Sequence, residues 1–211
     1  MNSKKIYNLK SGFTIIELMV SMGIFVVVMV MSVGAVLNTN VVHKKSQATR
    51  AAVDSMSFIM EEIARSARLG DLLHCRPYGG DPLDESLEIP LDCPLGGNLL
   101  AFEPYTNIAP DDPEDQRMYW MTTVNDGGVD KGVILKAPDL IVPAVKEDWY
   151  RLTPAEVTID LVKSGFIVVG NQGLGQPRVL IRISGEVVES GSVVSQFDLQ
   201  TTVSQRIIDA F

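Results

Sequence analysis

Apolar residues along this chain first run together, then recur at helical spacing, then alternate in short segments. From Phe13 to Leu37 there is no Lys, Arg, Asp or His, and Glu17 is the only charge. A helix of that length rises roughly 38 Å, enough to cross a ~30 Å hydrocarbon core with some tilt. From Val41 to Leu69 there is no Pro or Gly, and Ala48, Ala52, Met56, Ile59, Ile63 and Ala67 follow one another at steps of three and four. That spacing predicts an amphipathic helix whose opposite face carries Arg50, Asp54, Glu61, Arg65 and Arg68. The two stretches join into one helix from Phe13 to about Leu69, with Gly70 as its C-terminal cap. Gly34, inside the apolar run, is either a local weakening of the helix or a small-residue packing contact.

The pattern changes after Gly70. Pro77, Pro82, Pro90, Pro94, Pro104, Pro110 and Pro113 interrupt residues 71–116, which predicts an irregular insert there. From Arg117 the spacing is that of β-structure. Met118 to Val124 and Gly132 to Lys136 read as a hairpin around Asn125-Asp126-Gly127-Gly128. Val157 to Val169 reads as one or two strands broken at Ser164-Gly165. Arg178 to Val188 and Ser192 to Ile208 form a second hairpin around Glu189-Ser190-Gly191. Arg178, Arg182 and Ser184 alternate with Val179, Ile181 and Ile183, which predicts one wet and one buried face. The fold class expected is α+β: a long N-terminal helix packed on a C-terminal antiparallel sheet at 117–208.

Glu17 carries the chemistry of the apolar run. A carboxylate in hydrocarbon costs several kcal/mol, so it requires a partner. A cut after Gly12 would create one, the α-amino group of Phe13. The residues around it are a short basic leader with Lys4, Lys5 and Lys10, then Gly12, Phe13, Glu17 and the long apolar helix. In this order they resemble the type IV prepilin family, which includes the pseudopilins of type II secretion and competence systems. The resemblance covers about 25 residues. It implies that a membrane prepilin peptidase cleaves after Gly12 and N-methylates Phe13. It implies also that Glu17, the fifth mature residue, neutralises the N-terminal amine of a neighbouring subunit during assembly. A conventional secretory signal has a shorter apolar region followed by a small-residue cleavage site, which this chain lacks.

Four segments follow: a leader at 1–12, a membrane-spanning half-helix at 13–37, an amphipathic half-helix at 38–70, and a pilin-like globular domain at 71–211. Charge alone leaves the topology open, since Lys44, Lys45 and Arg50 follow the span as Lys4, Lys5 and Lys10 precede it. The resemblance implies the leader in the cytoplasm and the bulk of the chain outside, first in the inner membrane by a single pass and then in an extracellular or periplasmic filament. The partners it implies are the prepilin peptidase, other pilin or pseudopilin subunits, the inner-membrane assembly platform and membrane lipid. Cys75 and Cys93 are the only cysteines, and an even count in an exported domain points to a disulfide. Two buried free thiols are the alternative.

The segments Leu152 to Ile159, Gln176 to Ile181 and Phe197 to Arg206 are similar to the C-terminal sheets of minor pilin-like proteins. This second resemblance, with the insert at 71–116, implies a minor or assembly-priming subunit similar to the J-type pseudopilin or the W-type minor pilin. A pilus-tip adhesin or ligand-capturing receptor on the same scaffold is the other reading.

The net charge is −8, and removing the three leader lysines takes it to −11. Phosphate binding needs clustered Lys and Arg, so no nucleic-acid partner is expected. Asp111, Asp112, Glu114 and Asp115 cluster, as do Asn125, Asp126 and Asp130, but neither spacing matches a metal loop and turn chemistry explains both. Only His43 and His74 are present, and Gly170-Asn171-Gln172-Gly173-Leu174-Gly175 leads into a strand rather than a helix. No catalytic constellation, metal or cofactor is therefore expected.

Overall fold

The computed structural model describes residues 12–78, 89–104, 116–138, 148–171, 176–189 and 192–206. The chain divides into two units, Met1–Ser46 and Gln47–Phe211. One helix, α1 (Ile15–Leu69), contributes to both.

In the first unit α1 is apolar all round from Ile15 to Val36, Glu17 excepted. Ile15–Val36 has a mean hydropathy of 2.4, and none of it is buried within the protein. It is the one helix among the described residues long and apolar enough to cross a membrane. The hydroxyls of Ser21, Ser32 and Thr39 donate to Leu18, Val28 and Ala35 carbonyls at 3.0, 2.7 and 2.9 Å. Those bonds satisfy the donors within the helix, as a hydrocarbon surrounding requires.

In the second unit α1 is amphipathic. Ala52, Met56, Ile59, Ile63 and Ala67 are buried, and Met60 widens the stripe. Arg50, Asp54, Glu61, Arg65 and Arg68 are exposed on the other side. The helix stops at Leu69, and the Gly70 amide donates to the Ser66 carbonyl at 2.9 Å. Gly70 is not the left-handed cap expected: it is absent from the positive-φ residues, where Leu72 stands instead at 49°. Its reason is space. A Cβ there would overlap the ring of Phe102 and lie 3.0 Å from the Glu103 carbonyl oxygen.

Among the described residues nine strands make one sheet: β1 (Asp71–Pro77), β2 (Gly97–Glu103), β3 (Arg117–Asp126), β4 (Val129–Lys136), β5 (Tyr150–Arg151), β6 (Val157–Ile159), β7 (Gly165–Val169), β8 (Arg178–Glu189) and β9 (Ser192–Ser204). Their order is β5-β4-β3-β2-β7-β8-β6, with β1 beside β2 and β9 beside β8. Every pairing between named strands is antiparallel.

The β3–β4 hairpin turns at Gly127 and Gly128, with φ of 63° and 89°. Both central residues are left-handed, as a two-residue hairpin of this twist demands. β6 and β7 both pair with β8, and Asp160 to Ser164 bulges out between them. The Ser164 hydroxyl bridges the gap, donating to the Ser184 carbonyl at 3.0 Å and accepting from the Ser184 amide at 2.9 Å. This bulge corrects one expectation. Ser184 was placed on the wet face, yet it is 5% exposed, since it lies against that insert and donates to Asp198.

The region 71–116 corrects another. It holds β1 and β2, so the sheet begins at Asp71 rather than Arg117. The prolines bound these strands instead of breaking them: Pro77 ends β1 and Pro104 follows β2. At the other end β9 stops at Ser204, short of the expected Ile208, which lies outside the described residues.

The sheet buries both faces in part. One face meets α1, where Met56, Ile63, Leu100, Phe102, Tyr119, Phe166 and Ile181 form the main core. The opposite face of β2, β3 and β4 carries Leu99, Ala101, Met118, Val133, Leu135, Ala137 and Trp149. Trp120 packs edge-on against Trp149 there, ring centroids 5.6 Å apart.

Candidate functional site

The residues expected to serve processing and assembly, Gly12, Phe13 and Glu17, lie at the start of α1. Gly12 is exposed, and a Cβ placed on it would meet no atom within 4 Å. Phe13 is 83% exposed, and Glu17 is exposed in the first turn of the helix. The Glu17 amide donates to the Thr14 hydroxyl oxygen at 3.3 Å. Thr14 is thus the N-cap and Glu17 the third helical residue, the Thr-x-x-Glu spacing of a capping box. A carboxylate here also faces the positive end of the helix dipole. Sequence reading singled out Glu17 but passed over Thr14, although the spacing was there to be read.

This placement has a chemical consequence. The helix starts immediately after the Gly12–Phe13 bond, so cleavage there would leave Phe13 and an α-amino group directly before the N-cap. The Glu17 carboxylate would lie one turn further on, exposed on the helix.

The other residues singled out do not join this site. Cys75 and Cys93 form a disulfide in the second unit, with Cα atoms 5.6 Å apart. Both are buried. His74 points its Nδ1 to the Ile89 carbonyl at 2.8 Å and has no thiol to activate, since Cys75 is bonded. His43 is exposed on α1. The amides of Gly170 and Asn171 donate to the Asp92 carboxylate at 3.1 Å each, so the glycine-rich loop is engaged by a protein anion.

Asn125, Asp126 and Asp130 do come together, as turn chemistry. Asn125 Nδ2 donates to Asp130 Oδ1 at 2.8 Å, and the Gly128 amide donates to Asn125 Oδ1 at 3.0 Å. Asp126 is matched by Lys131 at 3.0 Å and Arg151 at 3.6 Å. The hydrogen bond from Lys131, reinforced by its charge, holds the Asp126 carboxyl below the usual range. Asp111, Asp112, Glu114 and Asp115 lie outside the described residues.

Residues 7–33 match a family model described as the prokaryotic N-terminal methylation motif. No curated protein and no solved structure matches the chain. The matched segment contains Gly12, Phe13, Thr14 and Glu17 and most of the apolar helix. Its α+β layout, a long apolar helix continuing into an amphipathic half that packs on an antiparallel sheet, is consistent with a pilin. Over residues 7–33 the chain thus carries the N-terminal methylation motif, and in that segment it is similar to type IV prepilins and pseudopilins.

Proposed function

We propose that this chain is a minor pilin or pseudopilin, a structural or assembly-priming subunit of a type IV pilus or of a competence or type II secretion pseudopilus. The observation that carries the reading is the methylation motif at residues 7–33 on a helix whose Ile15–Val36 segment is wholly uncovered by its own protein. A helix of that kind is stable in only two surroundings, lipid or the apolar faces of like helices. Assembly moves it from the first to the second.

In this reading prepilin peptidase cleaves after Gly12 and methylates Phe13. Residues 13–37 hold the subunit in the inner membrane, with the remainder outside the cytoplasm. Residues 38–70 and 71–211 form the exported part. Glu17 then pairs with the Phe13 amine of a neighbouring subunit, so that neither charge is left alone in the filament core. An isolated charge there is strongly disfavoured. The role is structural rather than catalytic.

The experiment is Glu17→Ala. The change removes a cost of roughly 2–3 kcal/mol in lipid, so the variant should insert at least as well as the wild type and still be cleaved. Its filament-associated share, relative to the membrane-associated share at matched expression, should fall. An unchanged ratio would deny Glu17 its assembly role.

A further inference from the structure

We propose that the outer edge of β9 is a docking site for an extended strand of a neighbouring pilin-class subunit, which adds to the sheet alongside α1. The proposal rests on the pilin reading above and names a surface and partner for it. Among the described residues, β9 pairs only with β8. It is 13 residues long, whereas the other strands at the sheet margins, β1, β5 and β6, have seven, two and three. Its ladder with β8 runs without interruption from Arg178↔Ser204 to Val187↔Ser195, and the only register shift lies next to the hairpin turn.

Natural sheets blunt such edges with lysines, prolines, bulges or brevity. From Ser192 to Ser204 there is no Pro, Lys or Arg, and Asp198 is the sole charge. This edge is long, regular and undefended. A row of unused amides and carbonyls on such an edge is complementary to one kind of partner, another extended backbone.

The surroundings define the side chains of that partner. A groove of about 390 Å³ runs between α1 and β9, lined by Met60, Ala64 and Arg68 on the helix and Leu199, Thr201 and Val203 on the strand. Side chains of an added strand alternate between its two faces. Every second one would enter this groove and meet Met60, Ala64 and Leu199, which suits apolar residues.

Charge sets the far end. Arg68 and Arg206 are exposed there, and the Arg206 amide donates to the Arg68 carbonyl at 2.8 Å. Arg65 is exposed one turn earlier, paired with Glu61 at 2.9 Å. Glu61 offsets Arg65, and Asp71 accepts from Gln205 at 3.1 Å beside Arg206, so Arg68 and Arg206 leave a small local excess of cations that suits an acidic residue at that end of the incoming strand. One wall of the groove is the amphipathic half of α1, so a strand added at the edge would be held by helix and sheet together.

The test uses the full chain in cells that carry its assembly machinery. A photo-crosslinking residue replaces Gln200 on β9 in one variant and Val27 in the span in another. The expected result is Gln200 adducts with strand residues of another pilin-class chain, located by mass spectrometry. Ala64→Glu, which fills the groove with a charge, should lower that yield roughly tenfold while Val27 adducts persist. The Cys75–Cys93 bridge serves as its folding control, and the Gln200 adduct on the otherwise unaltered chain decides the matter without it.

Val27 adducts without Gln200 adducts would overturn edge docking and leave the pilin reading standing. Gln200 adducts confined to helical residues, lipid or unrelated proteins would overturn it as well. No pilin adduct at either position would overturn both.

Discussion

The Glu62 carboxylate on α1 accepts a hydrogen bond from the buried Tyr119 hydroxyl of β3 at 3.2 Å. The same oxygen accepts from Lys136 Nζ of β4 at 2.9 Å. Two strands are thereby fastened to one helical position, on the flank of an otherwise apolar contact. Tyr119 is fully buried, and that burial, reinforced by the Glu62 charge, pushes its pKa up.

Glu62→Ala removes the shared acceptor. Loss of a buried hydrogen-bond partner costs about 1–3 kcal/mol, and Glu62→Gln, which keeps one acceptor oxygen, should cost less. Thermal unfolding of the full chain in detergent checks the order wild type, Gln, Ala. The raised Tyr119 pKa adds a sign. Its contribution to stability is complete below the unfolded tyrosine value and is lost as pH rises above it. A stability that climbs through alkaline pH would contradict this.

A second prediction concerns Gly70→Ala. The new methyl overlaps the buried Phe102 ring and crowds the Glu103 carbonyl, so one of them must move. Overpacking of this kind costs about 1–3 kcal/mol. Were Gly70 a simple helix cap in the left-handed region, a Gly70→Asn change would be tolerated. Here Asn should be worse than Ala, because it is larger. Comparing the two unfolding midpoints separates the steric role from the conformational one.

The sequence made α1 legible because its two burial patterns repeat over many turns. The apolar run and the stripe from Ala52 to Ala67 leave no strand alternative. The hairpin at Gly127-Gly128 was legible because its turn demands left-handed residues. β2 was not. Leu99-Leu100-Ala101-Phe102 is buried on both faces, so it shows no alternation, and the neighbouring prolines made it read as loop. Ser184 was misplaced because the burying agent is the Asp160–Ser164 bulge, a feature of β8's neighbours rather than of β8. Gly12, Phe13 and Glu17 lie within the short N-terminal segment that matches the methylation motif, a local signal that needed no tertiary information. Thr14 was equally legible, since a Thr three positions before a Glu at the head of an apolar run is the capping-box spacing.

The third prediction concerns Cys75 and Cys93. Closing a loop of this length stabilises by about 3 kcal/mol through the unfolded state. Unreduced peptides from the native protein should therefore contain the two residues linked. The double variant Cys75→Ala, Cys93→Ala should unfold at lower temperature by a corresponding amount. Two alkylatable thiols in the native chain would contradict the assignment.

The central claim is that the chain is a processed pilin-class subunit, and its N-terminus tests that most directly. Protein taken from cells with the cognate peptidase should be measured by intact mass and N-terminal sequencing. The expected terminus is Phe13, carrying a methyl group, with residues 1–12 gone. Retention of Met1, or a cut beyond Leu37, would contradict the account.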